Sequence, residues 1–225
     1  MIRAILLDIE GTTTPIAFVH EVLFPYARDH VREFLASNTE DIERLREEHA
    51  VDVNNGEHPP AEMSAYVEWL IARDRKSTGL KSLQGKIWRQ GYLDGSLKSQ
   101  VYADVAQAFA RWRARGLSIN IFSSGSVLAQ QLLFAHTDAG DLTKFIEQYF
   151  DTNIGKKGET ASYRKIAEAL SLRPEEILFI SDVVTELDAA TKAGMQPLLS
   201  IRPGNPPQQD AERYRAIYTF DNLEP

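Results

Sequence analysis

The sequence predicts an α/β protein: a parallel sheet flanked by helices, with a helical domain inserted after the first strand. Three observations carry this expectation. Apolar runs of strand length recur along the chain, segments with helical periodicity separate them, and one long stretch, residues 16–100, is helical in pattern without a convincing strand. Short runs that are apolar on both faces suit strands buried inside a parallel sheet. Strands alternating with helices build such a sheet.

Residues 2–7 form the first run, which ends in Asp8, Glu10, Gly11 and three threonines. Parallel sheets bind ligands at the carboxyl ends of their strands, so this strand is placed to deliver an acid to a site. The inserted region follows and divides the chain into an α/β core, residues 1–15 and 101–225, and a helical domain, residues 16–100. Inside that domain residues 51–60 read as a loop between helices, because Asn55-Gly56 and Pro59-Pro60 are breakers. Residues 101–112 have apolar positions at three- and four-residue spacing and predict a helix, as do residues 127–134 after Ser126 and residues 161–170. Further strands are expected over residues 117–122, 177–180 and 195–199. Trp69, Trp88 and Trp112 are expected in the core. No repeat or low-complexity tract interrupts the pattern.

Bulk properties limit the function. A chain of 225 residues with 43% hydrophobic content can fill a core of ordinary domain size. No apolar stretch reaches the roughly 18 residues of a membrane span, and no secretory leader is expected, so a cytoplasmic protein is anticipated. The absence of cysteine excludes disulfides, thiolate nucleophiles and cysteine-ligated metal sites. A net charge of −7 argues against nucleic acid or an anionic membrane as the partner. An anionic substrate would need a metal or local cations. With no heptad repeat, a monomer is expected.

The strand ends carry the chemistry. One ends in Asp8 and Glu10, another in Ser123-Ser124-Gly125-Ser126, and a third in Ser181-Asp182 with Glu186 a helical turn beyond; Lys157 lies in the loop-like stretch 151–158. Acids, hydroxyls and a cation on one rim suit phosphoryl transfer, which needs an in-line nucleophile and positive charge against the phosphoryl oxygens. Asp8 can attack phosphorus to give an aspartyl-phosphate. Because a carboxylate and a phosphate repel, Mg²⁺ held by Asp8, Asp182 and a backbone carbonyl is expected to bring them together. Lys157 adds a point charge, and Ser123 with backbone N–H groups donates to the phosphate. Glu10, on the same side of the strand as Asp8, can protonate the leaving oxygen and then activate water. Plainer readings stand beside these. Ser123 and Ser124 can cap the following helix, and Glu186 can be a first-turn acid favoured by the helix dipole or a residue beside the metal.

Asp8-Ile9-Glu10-Gly11-Thr12, Ile121-Phe122-Ser123-Ser124, Lys157 and Ile180-Ser181-Asp182-Val183-Val184-Thr185-Glu186 resemble, in order and spacing, the four motifs of the haloacid dehalogenase superfamily of aspartyl phosphatases. Most phosphatases of that superfamily have Asp where this chain has Glu10, and Asp-x-Glu-Gly-Thr-Thr is similar to the enolase-phosphatases of methionine salvage. The likeness extends to residues 83–92, 123–127 and 150–166. It implies a Rossmann-like core with an inserted helical cap, Mg²⁺ as cofactor at Asp8, Glu10, Asp182 and Glu186, Lys157 rather than Lys156 on the phosphate, and Ser123, Ser124 and Lys86 as further substrate-binding residues. It implies as substrate a small phosphorylated diketone, 2,3-diketo-5-methylthiopentyl-1-phosphate, enolised and then dephosphorylated to acireductone. The cap is expected to close over the site with hinges near residues 14–15 and 97–101, which would place His20 at the domain junction. Two alternatives remain at this point. A sugar-phosphate phosphatase of the same superfamily would share the motifs, and a receiver-type signalling domain also carries an aspartyl-phosphate but lacks Glu10's position and a cap.

Overall fold

The computed structural model describes residues 1–73, 75 and 77–225, with Thr39, Glu40 and Asp41 described by backbone alone. The chain divides into two compact units, one formed by Met1–Val19 with Lys98–Pro225 and the other by His20–Leu97.

The first unit is built on a parallel six-stranded sheet. Its strands are β1 (Ala4–Leu7), β2 (Ser118–Phe122), β3 (Gln148–Phe150), β4 (Ile177–Ser181), β5 (Gln196–Ser200) and β6 (Ala216–Ile217), in the order β3-β2-β1-β4-β5-β6. All four residues of β1 and all five of β4 are buried, which is why these two read so clearly as apolar runs. The strand order reverses on either side of β1, so the crevice between the carboxyl ends of β1 and β4 is the switch point where doubly wound sheets place ligands. Register brings Leu7 opposite Ile180 on one side and Ile121 on the other. Side chains alternate across the sheet. Leu6, Phe122, Phe179, Tyr163, Ile166 and Leu187 pack together on one face. Elsewhere in the core Phe109, Trp112, Phe134 and Phe220 form a chain of ring contacts at 5.2–6.2 Å.

The second unit is a set of helices, which we number α1 (Phe24–Ser37), α2 (Thr39–Asn54), α3 (Met63–Ala72) and α4 (Thr78–Asp94). Their shared core includes Val31, Leu35, Leu45, Tyr66, Leu70, Leu83 and Ile87. A polar cluster lies against it: Asp52 accepts from Tyr66 Oη at 2.8 Å and from Arg75 at 2.7 Å. The loop expected over residues 51–60 begins later than anticipated, because Val51–Asn54 complete α2 and the chain turns only at Asn55-Gly56.

Helices α5 (Val105–Ala114), α6 (Val127–Ala135), α7 (Thr160–Ala169) and α8 (Val184–Ala193) complete the first unit. Helix α5 starts at Val105 rather than at residue 101. Tyr102 instead donates its N–H to Thr13 O at 3.0 Å, and the Asp104 side chain is occupied by Arg202 and Thr219 at 2.8 and 3.0 Å and does not cap the helix. Trp112 and Trp88 are core residues, with Trp88 Nε1 donating to Leu23 O at 2.8 Å. Trp69 is not: it is half-buried, stacked on Tyr66 and covered by the Arg73 guanidinium 4.3 Å from its ring centroid.

Candidate active site

At the end of β1 the chain turns back on itself through residues 9–14. The N–H groups of Thr12, Thr13 and Thr14 all point at Ile9 O, at 3.2, 2.9 and 2.9 Å, and Gly11 N donates to Thr14 O at 2.9 Å. Gly11 takes φ +65° to close this turn, a region that favours glycine. Glu10 sits in the turn, half-buried, two residues beyond the buried Asp8.

Asp8, Lys157, Ser181 and Glu186 meet at the switch point. Asp8 Oδ1 accepts from Ile9 N at 2.7 Å and from Lys157 Nζ at 2.5 Å. Lys157 also reaches Glu186 Oε2 at 2.8 Å, and Ser181 Oγ lies 2.9 Å from that oxygen and 3.4 Å from Asp8 Oδ2. Burial alone would favour the neutral amine at Lys157, but the charges of Asp8 and Glu186 overcome it and hold the ammonium above its ordinary range. Asp182 is buried at the end of β4, and burial first, then the charges of Asp8 and Glu186, push its carboxyl up to about 7. Glu186 is pushed up as well, by burial and then by Asp8, with Lys157 and Ser181 opposing. Lys156, by contrast, is an exposed side chain 3.9 Å from Glu159.

Beyond β2, Ser123 is buried and its Oγ accepts from Gly125 N at 3.2 Å, which leaves the hydroxyl proton available. Neither Ser123 nor the exposed Ser124 caps the next helix; Ser126 does, accepting from Ala129 N at 3.3 Å. Gln130 braces this loop by donating to Gly125 O at 2.8 Å and Phe150 O at 2.9 Å. Lys86 lies on α4 in the helical unit, half-buried, between the buried Gly85 and Ile87. His20 belongs to the same unit, its ring edge-on to Phe24 at 5.7 Å.

Sequence reasoning missed the residues that fasten the turn after β1 from β5 and the loop behind it. Ser200 Oγ and Asn205 Nδ2 both donate to Gly11 O, at 3.1 and 2.9 Å, and the buried Arg202 donates to Thr12 O at 3.2 Å while pairing with Asp104 at 2.8 Å. None carries a motif of its own. The one available signal was an arginine followed by Pro-Gly directly after an apolar strand. Ser181 was read only as part of a strand end, not as the hydroxyl shared by Asp8 and Glu186.

A divalent cation fits this chemistry. The buried Asp8 and Asp182 and the half-buried Glu186 crowd three carboxylates around the Lys157 ammonium, and burial first, then the charges of Asp8 and Glu186, raise Asp182. Gly11 lets the Asp182 carboxylate approach the turn so closely that a Cβ there would stand 2.4 Å from Asp182 Oδ2. Among the described residues no three His, Cys, Asp or Glu side chains form a metal cluster by themselves. Mg²⁺ takes one or two carboxylates and fills its remaining positions with other oxygens, a number that Asp8 and Asp182 would supply.

A family model for haloacid dehalogenase-like hydrolases matches residues 2–194. The chain is 52% identical to "Enolase-phosphatase E1" of Synechococcus elongatus over 99% of this chain and 98% of that protein. It is 45% identical to an Arabidopsis thaliana protein named "Probable bifunctional methylthioribulose-1-phosphate dehydratase/enolase-phosphatase E1", across 98% of this chain and 48% of that longer one. Among solved structures, the UTR4 protein of Saccharomyces cerevisiae superposes with a TM-score of 0.83 at 37% identity, covering 99% of this chain and all of that one.

Proposed function

The chain belongs to the haloacid dehalogenase-like hydrolases, and from that membership and its full-length likeness to enolase-phosphatases we propose the reaction and the residue roles that follow. The protein is a phosphatase with enolase activity, an acireductone synthase of methionine salvage. It takes 2,3-diketo-5-methylthiopentyl-1-phosphate to 1,2-dihydroxy-3-keto-5-methylthiopentene and phosphate. The observation that carries the residue assignments is the meeting of Asp8, Lys157, Ser181 and Glu186 at the β1/β4 switch point.

Asp8 is the nucleophile. Its Oδ1 is committed to Ile9 N and Lys157, so Oδ2 is the oxygen that attacks phosphorus. The Oδ2–P bond forms, the ester P–O bond breaks, and the leaving oxygen takes a proton from Glu10. Water then attacks phosphorus, Glu10 accepts its proton, the P–Oδ2 bond breaks and phosphate departs. Before that, enolisation moves a proton from the carbon bearing the ester to a base, and the neighbouring carbonyl oxygen takes up a proton from that base or from water to give the enol. Lys157, held fully charged by its two carboxylates, and the Ser123 hydroxyl bind phosphoryl oxygens. Glu186 orients Lys157. Enzymes of this family typically use Mg²⁺; here Asp8, Asp182 and the Glu10 carbonyl would hold it, and it would supply positive charge against the phosphoryl and adjacent carbonyl oxygens.

In this reading the helical unit serves as the cap that excludes water during turnover, with Lys86 as its contribution to substrate binding. The protein acts as a cytoplasmic monomer on a free small molecule, a reading supported by its net charge of −7, which disfavours polyanionic partners.

The test is to mix protein and the diketo phosphate with and without Mg²⁺ and to follow phosphate release together with the ultraviolet absorbance of the conjugated enol. Mg²⁺-dependent appearance of both products is expected. An inert diketo phosphate alongside a readily cleaved sugar phosphate would overturn the substrate assignment.

A further inference from the structure

Asn205, in the loop after β5, has an amide whose orientation its surroundings decide. Its Nδ2 donates to two carbonyl oxygens, Gly11 O at 2.9 Å and Ser200 O at 3.3 Å. Reversing the amide would set its oxygen against both carbonyls, so Nδ2 must face them. The Oδ1 atom is therefore turned the other way, and there it is buried with no hydrogen-bond partner among the described residues.

On that side lies the Asp182 carboxylate, beside the turn that follows β1. The point where a Gly11 Cβ would stand is 2.9 Å from Asn205 Oδ1 and 2.4 Å from Asp182 Oδ2. Both acceptors therefore lie close against the bare Gly11 Cα from the same side, and acceptors cannot satisfy each other. A buried polar atom without a partner calls for a donor, and a water bridging two neighbouring acceptors is the ordinary one.

We propose that Asn205 is a positioning residue for the divalent cation: its Oδ1 accepts a hydrogen bond from a water of the cation's hydration shell that also donates to Asp182. The inference rests on the cation reading above. The single side chain then ties together three parts of the site, since Nδ2 fixes the Gly11 carbonyl on the β1 turn and the β5 end while Oδ1 holds the water beside the β4 acid. Outer partners of this kind tune the affinity of a metal site without touching the metal.

Calorimetric titration of Mg²⁺ into the full-length protein without substrate tests the proposal and reads binding independently of any catalytic assignment. Asn205→Ala should raise the Mg²⁺ dissociation constant about 10- to 100-fold, the usual effect of losing such a partner. Ser200→Ala removes the other donor to Gly11 O but keeps Oδ1, and should leave Mg²⁺ binding as in the wild type. Unchanged binding in Asn205→Ala, or an equal loss in both variants, would overturn the proposal, the latter because the effect would then run through the carbonyl. Should Asn205→Ala fail to fold, a crystal structure of the wild-type protein with Mg²⁺ decides. A water within hydrogen-bond reach of both Asn205 Oδ1 and Asp182 is expected, and its absence would overturn the assignment. An inert diketo phosphate with intact Mg²⁺ binding would instead count against the substrate reading alone.

Discussion

Asp8 shows how one residue's surroundings select an atom for chemistry. With Oδ1 held by a backbone N–H and an ammonium, the carboxylate cannot swing, and Oδ2 is presented in one orientation. Asp8→Asn keeps the shape but loses both the nucleophile and the charge that pairs with Lys157. Phosphate release should fall to the limit of detection while circular dichroism and the thermal midpoint stay near wild type; measurable turnover in that variant would contradict covalent catalysis. Glu10→Gln should slow turnover by roughly 10² to 10⁴, as loss of a general acid/base does, and an unchanged rate would remove Glu10 from the reaction. At this scale the sequence pointed to Asp8 and Asp182 at strand ends, Lys157 in a loop and Glu186 in the first turn of a helix. Ser200, Arg202 and Asn205 stayed hidden because ordinary polar residues after a strand gain their roles only when β5 is laid beside the turn that follows β1.

Among the elements, β1 and β4 were legible because strands buried on both faces must be apolar throughout. Strand β3 was not, since Gln148, Tyr149 and Phe150 run from exposed to buried at the sheet edge and are too few to establish a pattern. Two-residue β6 escaped for the same reason. The start of α5 was misjudged because residues 101–104 have a helix-like apolar spacing but serve the turn after β1, through Tyr102 N, and the Arg202 pair, through Asp104. That turn is itself the element most exposed to a small change. Gly11→Ala would place a Cβ 2.4 Å from Asp182 Oδ2 on a backbone at φ +65°. A non-glycine residue in the left-handed region costs about 1–2 kcal/mol, and Asp182 must shift to make room. Chemical denaturation should show a loss of about that size together with a raised Mg²⁺ requirement; a variant with wild-type values for both would contradict the packing described for the turn.

For the molecule as a whole, the buried and crowded carboxylates after β4 make stability depend on pH. Asp182 in the folded protein is raised to about 7 from an ordinary 3.8, and Glu186 is raised in the same direction. Between these values the native state binds more protons than the unfolded chain, so stability falls as pH rises through the window, by at most about 1.4 kcal/mol per pH unit for each such proton. Lys157 does not enter this window, because its raised value is lost only far above neutrality. Urea midpoints measured without a divalent cation should therefore decline from about pH 4 to 7, and Mg²⁺ should restore stability at the upper end, where it would take the place of the Asp182 proton. A Mg²⁺ effect of equal size at pH 4 and pH 7 would contradict this account. The parallel core and the helical character of residues 16–100 were foreseeable from alternation alone, whereas the identity of the reaction needed the four strand-end motifs together.

The central claim is that Asp8 carries the phosphoryl group, and rapid acid quench during turnover tests it most directly. Borohydride reduction of the quenched protein, followed by peptide sequencing, should reveal homoserine at position 8, the product of reducing an aspartyl-phosphate. Full turnover with unmodified aspartate at position 8 across the quench times, in the presence of Mg²⁺, would contradict it.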